Sequence, residues 1–78
     1  MKTMTCRQLG GPCDLALRGD TADDVIQAQD QHLKEVTAAG DSEHQAARDA
    51  MKSRWKNPVK GLGWYNDTKK AFAALPEG

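Results

Sequence analysis

The chain has 78 residues, and its 11 Lys and Arg balance 11 Asp and Glu for a formal net charge of 0. Apolar residues make up 38% and charged residues 28%, enough for one modest core that would gain from a metal, a disulfide or a partner chain. No strong field draws in nucleic acid or anionic lipid, no stretch is long enough to cross a membrane, and no signal-peptide core opens the chain, so a cytoplasmic protein is expected. The charges are mildly sorted: residues 1–40 carry four positive and six negative, and residues 41–78 carry seven positive and five negative.

Lys2 to Cys6 reads as a short strand with Met4 and Cys6 on one face. Leu9-Gly10-Gly11-Pro12 supplies the turn, because glycine can take positive φ and proline fixes it. Cys13 to Arg18 alternates again, with Cys13, Leu15 and Leu17 to one side, which predicts a hairpin with a wide connection. Thr21 and Asp24 have the spacing of a capping box, and Asp20, Asp23 and Asp24 suit the positive end of a helix dipole. A first helix is therefore expected from Ala22 to Ala38 or Ala39, with Val25, Ile26, Leu33 and Val36 as its apolar stripe and Gly40 as its stop.

Asp41 or Ser42 caps a second helix over Glu43 to Lys56, packed through Ala46, Ala47, Ala50, Met51, Arg54 and Trp55. The short connection makes the two helices antiparallel neighbours. Asn57-Pro58 ends the second helix, and Gly61-Leu62-Gly63 reads as a loop. A third, shorter helix is expected from Tyr65 or Asn66 to Leu75, with Pro76-Glu77-Gly78 as a frayed tail. The fold class is α+β: an N-terminal hairpin packed on a helix in the ββα layout of a zinc finger, then two further helices. Residues 1–78 form one domain in this reading, a ββα unit over 1–40 and a two-helix extension over 41–78.

The only cysteines, Cys6 and Cys13, have six residues between them. Thiolates bind borderline or soft ions such as zinc, and a hairpin sets the two positions side by side. The gap is wider than that of a common zinc knuckle, so buried thiols are the favoured reading of the pair alone. A reducing cytosol argues against a disulfide. His32 lies seven residues after Val25 and four before Val36, on the helix side that faces the hairpin. His44 faces inward near the start of the second helix. Rise per residue puts the two histidines on the order of 5–6 Å out of step along the helix axes, a gap for side chains to close.

The stretch "TMTCRQLGGPCDLALRGDTADDVIQAQDQHLKEV" resembles a family of small bacterial and archaeal proteins of unknown function described as predicted small metal-binding proteins. Cys6, Arg7, Gly10, Cys13 and Asp14 match its C-R-x-x-G-x-x-C-D opening, Gly19 and Thr21 its strand-to-helix step, and His32 its first helical histidine. The stretch "MKSRWKNPVKGLGWYNDTKKAFAALP" is similar to the tail of one branch. The resemblance implies a metal site and no particular reaction. Many members place a second histidine five residues after the first; here that position is Thr37, a poor zinc ligand, so either His44, water or a carboxylate is the fourth donor or the site is weakened or lost.

The expected site is thus a structural zinc, or another divalent transition metal, held by Cys6, Cys13 and His32 with His44 as the less secure fourth ligand. The partner implied is a metal ion, with a protein partner or a homodimer open and nucleic acid disfavoured. Two alternatives stand beside it. One is a metal-free interaction module working through Trp64 and Tyr65 or the basic second helix. The other is a finger-like nucleic-acid binder using Lys52, Arg54, Lys56 and Lys60 around Trp55, although Trp55 reads as core. No catalytic motif is present, so a non-enzyme is the favoured expectation; a small enzyme or metal-handling protein stays open and would need a free coordination position at the ion.

Overall fold

The computed structural model describes residues 1–77. Strand β1 (Lys2–Thr5) pairs antiparallel with β2 (Ala16–Gly19), and helices α1 (Ala22–Ala38), α2 (Ser42–Lys56) and α3 (Pro58–Ala73) follow. The fold is α+β, with an N-terminal hairpin packed on α1 and two further helices, as the sequence predicts. Gly78 lies outside the described residues.

The hairpin register sets Met4 opposite Leu17 and Thr5 opposite Ala16. Met4 and Leu17 are buried, while Leu15, expected inside, is 47% exposed. The second strand is shorter than its alternation suggested: Cys13, Asp14 and Leu15 precede the ladder. A 3-10 turn at Arg7–Leu9 explains the difference. It coils the first arm of the connection, so the second arm bends to follow it and loses strand geometry.

Helix α1 starts with the predicted capping box. Thr21 Oγ1 accepts from the Asp24 N–H at 3.2 Å, and Asp24 Oδ2 accepts from the Thr21 N–H at 3.2 Å. Replacing Thr21 with alanine should cost about 1 kcal/mol, read as a lower urea midpoint with an unchanged slope. The helix ends in a Schellman motif. Gly40, at φ 98°, donates to Thr37 O, and Asp41 donates to Val36 O.

Two helix assignments need correction. Gly61-Leu62-Gly63 is not a loop, because α3 begins at Pro58 rather than near Tyr65. Asn57 ends α2 by donating its N–H to Ser53 O, and starts α3 by accepting from the Lys60 N–H at 3.2 Å. Proline is at home in a first helical turn. Gly61 sits so close to α2 that a Cβ would strike the Arg54 carbonyl, so here glycine marks close packing rather than a loop. The packing side of α2 is also narrower than expected. His44, Ala47 and Met51 are buried, whereas Ala46 and Ala50 are exposed and Trp55 is 60% exposed. Trp55 lies in the last turn, where the chain reverses at Asn57 and leaves most of the indole exposed.

The interior has two apolar groups joined along α1. One gathers Met4, Leu9, Leu17, Val25 and Ile26 with Phe72 of α3. The other gathers Cys6, Leu33, Ala47 and Met51. Trp64 packs against both, and the Arg54 guanidinium lies 4.6 Å from its ring centroid. Trp64 and Tyr65 are half-buried and pack against this core. Leu75 packs against the core, and Glu77 accepts from the N-terminal ammonium at 3.1 Å. Among the described residues, no helix is long and apolar enough to cross a membrane.

Candidate metal centre

Four side chains meet where the hairpin connection, α1 and the start of α2 converge. The ligand atoms of Cys6, Cys13, His32 and His44 all lie within 4.8 Å of one another. Each arrives by a separate local device. Cys6 is anchored by its N–H donating to Leu15 O at 2.9 Å, while its carbonyl accepts from the N–H groups of Leu9 and Gly11. Gly10, at φ 102°, then turns the chain back. Gly11 passes so near that a Cβ would land on the Cys6 sulfur. That close pass returns Cys13 to Cys6 in spite of the wide gap. The thiols meet through this folded-back connection, not across the strand ladder.

His32 is placed by α1, one turn after the buried Gln29. His44 is placed by α2, where the Asp41 side chain accepts from the His44 N–H at 3.0 Å and so caps the helix. The Schellman turn at Gly40 brings that cap alongside α1. The two imidazoles stand edge to face with centroids 5.0 Å apart, so the axial offset is closed. Cys13 Sγ lies 3.4 Å from Nε2 of His32 and 3.4 Å from Nε2 of His44. Thr37 takes no part: its hydroxyl donates to Leu33 O at 2.7 Å and accepts from Arg48 at 3.2 Å.

The surroundings treat both sulfurs as acceptors. Gln29 Nε2 lies 3.3 Å from Cys6 Sγ and 3.4 Å from Cys6 O, and the Cys13 N–H also points to Cys6 Sγ. The Leu15 N–H points to Cys13 Sγ. Such N–H donors favour the thiolate. Burial pushes the Cys6 thiol up all the same. At Cys13 burial is outweighed by the Leu15 N–H and the His44 ring, and the thiol is held below its ordinary value. His44 is held above its ordinary value by its contact with Cys13 and then by Asp41, against burial. Burial and the nearby His44 push His32 down.

The orientation of His44 suits a ligand. Its Nε2 faces the cluster, and its Nδ1 lies 2.8 Å from Asp41 Oδ2. This is an ion-pair distance at an angle that falls short of a hydrogen bond, since Nδ1 has no hydrogen-bond partner. A small ring rotation would make it the carboxylate contact that metal-bound histidines commonly have. Gln29 Oε1 is likewise buried without a partner, because its NH2 is turned to the sulfur.

Gln29 was absent from the sequence reading. It shares the α1 face with Val25, Leu33 and His32, and a polar residue on that stripe was the available signal. Arg7 and Asp14, two positions of the matched opening, pair at the surface at 2.9 Å. They stand outside the cluster.

Residues 1–38 match the family described as "Protein of unknown function (DUF1059)". That span holds Cys6, Cys13 and His32, and His44 lies beyond it. No curated protein and no solved structure matches the chain.

Proposed function

We propose that the chain is a small metal-binding protein that holds one zinc ion through Cys6, Cys13, His32 and His44, in a structural role. The convergence of two sulfurs and two imidazole nitrogens within 4.8 Å carries this reading. In a tetrahedral site with Zn–S of about 2.3 Å and Zn–N of about 2.0–2.1 Å, the donors stand roughly 3.4–3.8 Å apart. The two Cys13–histidine separations of 3.4 Å already fit those edges, and the widest pair needs to contract by about 1 Å. Zinc would supply a fixed charge that joins the hairpin connection to both helices. Four protein donors leave no coordination position for a substrate, so a non-catalytic site is the reading supported. Residues 1–40 and 41–78 fold as one unit in this proposal, since Phe72 of α3 sits in the hairpin core and His44 of α2 completes the site.

Elemental analysis of untagged protein purified without added metal tests it. Near one zinc per chain is expected, lost when Cys6 and Cys13 are both serine. Less than about a tenth of an equivalent after incubation with zinc under reducing conditions would overturn the reading.

A subtler variant probes the ligand role of His44. Asp41→Asn keeps a good helix cap but removes the charge beside Nδ1. Zinc affinity should fall about 10- to 100-fold while far-ultraviolet circular dichroism stays unchanged. A competition titration with a chromophoric chelator reads the difference.

A further inference from the structure

Cys6 and Cys13 are the only thiols of the chain, and both are free. Neither belongs to a strand or an α-helix; they bracket the connection between β1 and β2. Their sulfurs lie within 4.8 Å of each other. The connection itself holds them there. The Gly11 N–H donates to Cys6 O at 2.8 Å. Arg7, next to Cys6, pairs at 2.9 Å with Asp14, next to Cys13, and also donates to Pro12 O at 3.4 Å. The histidines come from α1 and α2, so the pairing of the thiols does not depend on them.

The two sulfurs differ in access. Cys6 is 0% exposed, and Gln29 Nε2 stands 3.3 Å from its sulfur. Cys13 is half-buried, as is His32 beside it. A small oxidant arriving from solvent therefore meets Cys13 first. An accessible sulfur with a second cysteine poised behind it is the arrangement of a redox-sensitive pair.

We infer that Cys6 and Cys13 form a reversible disulfide within the chain when a hydroperoxide reaches Cys13, and that this disulfide and a bound metal exclude each other. The Cys13 thiolate attacks one peroxide oxygen. An S–O bond forms, the O–O bond breaks, and the other oxygen leaves as hydroxide or alkoxide. The Cys6 thiolate then attacks the Cys13 sulfur. The S–S bond forms, the S–O bond breaks, and hydroxide leaves. The peroxide takes up the two electrons that the thiolates lose, and solvent protonates both leaving groups. The sulfurs close from at most 4.8 Å to about 2.05 Å, a side-chain movement inside the connection. Two thiols of a small reductant reverse the step and become a disulfide themselves. A disulfide sulfur carries no thiolate charge, so only His32 and His44 remain as donors. The exclusion rests on the zinc reading above; the disulfide does not.

Hydrogen peroxide on the reduced, metal-free chain tests the pair alone, read by intact mass and peptide mapping. The expected product is a monomer lighter by two hydrogen atoms, with Cys6 linked to Cys13, and restored by dithiothreitol. Added oxygen on Cys13 with Cys6 still free, or chains linked to one another, would overturn the inference. On zinc-loaded protein beside a chromophoric chelator, one zinc should appear for every two thiols lost, and reductant should restore binding. Zinc retained after the disulfide has formed would overturn the exclusion. Cys6→Ser should leave a Cys13 sulfenic acid that dimedone traps, and Cys13→Ser should take up little label; the reverse pattern would overturn the order of attack. A chain that links its cysteines yet never binds zinc would support the disulfide and overturn the zinc reading. One that binds zinc and never links them would do the opposite.

Discussion

The zinc-loaded protein should melt roughly 15–30 °C above the same protein in excess chelator. A ligand that binds only the folded state, at a thousand times its dissociation constant, contributes about 4 kcal/mol. Each kcal/mol moves the midpoint of a domain this size by about 4–8 °C. The effect is large because the donors come from the hairpin connection, α1 and α2, and the unfolded chain does not hold them together. Scanning calorimetry or circular dichroism melts of both forms would measure it. The Cys6→Ser, Cys13→Ser variant should show no difference between zinc and chelator. A wild-type chain with the same midpoint in both would remove the structural role, even if zinc were bound.

Gly11→Ala should damage the fold and the metal site together. The new Cβ would fall on the Cys6 sulfur, with Gln29 Nε2 at 3.0 Å and the Cys6 carbonyl at 3.1 Å. Cys6 is fully buried and fixed by its own backbone bonds, so the sulfur has no space to retreat into. Overpacking of this kind costs about 1–3 kcal/mol, and the displaced sulfur would lower zinc affinity by at least a hundredfold. Gly63→Ala is the control. It lies inside α3 with nothing within 4 Å of its Cβ position, and alanine there should stabilise by about 0.5–1 kcal/mol. Chemical denaturation and a zinc competition titration on both variants separate the two cases. Equal behaviour would mean that the close pass at Gly11 does not shape the site.

The capping box at Thr21, the stop at Gly40 and the span of α1 were legible in the sequence because each depends on neighbours in the chain. The inward side of His44 was legible for the same reason, from helical spacing. Its meeting with His32 was not, since it depends on how the Gly40 turn angles α2 against α1. Asn57-Pro58 was read as a break because both residues do end helices; the same pair also begins one, and only the packing of Gly61 on Arg54 decides between the two. Trp55 was assigned to the core by its helical spacing on the packing side of α2. Its exposure follows from the reversal of the chain just beyond it, which no local pattern encodes. Cys6 and Cys13 were read as neighbours for an incomplete reason: the ladder that was to join them stops short, and the turn through Gly10 and Gly11 completes the approach.

His44 is the only one of the four donors carried by α2. If α2 lifts away while the hairpin and α1 stay folded, the remaining set is Cys6, Cys13 and His32, three donors with an open face. A closed tetrahedron exchanges its ion slowly, whereas a three-donor cup can pass an ion to an incoming thiol or nitrogen. The rate at which the ion leaves would then follow the local opening of one helix rather than unfolding of the whole chain. Metal exchange and amide hydrogen exchange in the first turns of α2 should therefore share a rate law, with α2 as a stopper over the site.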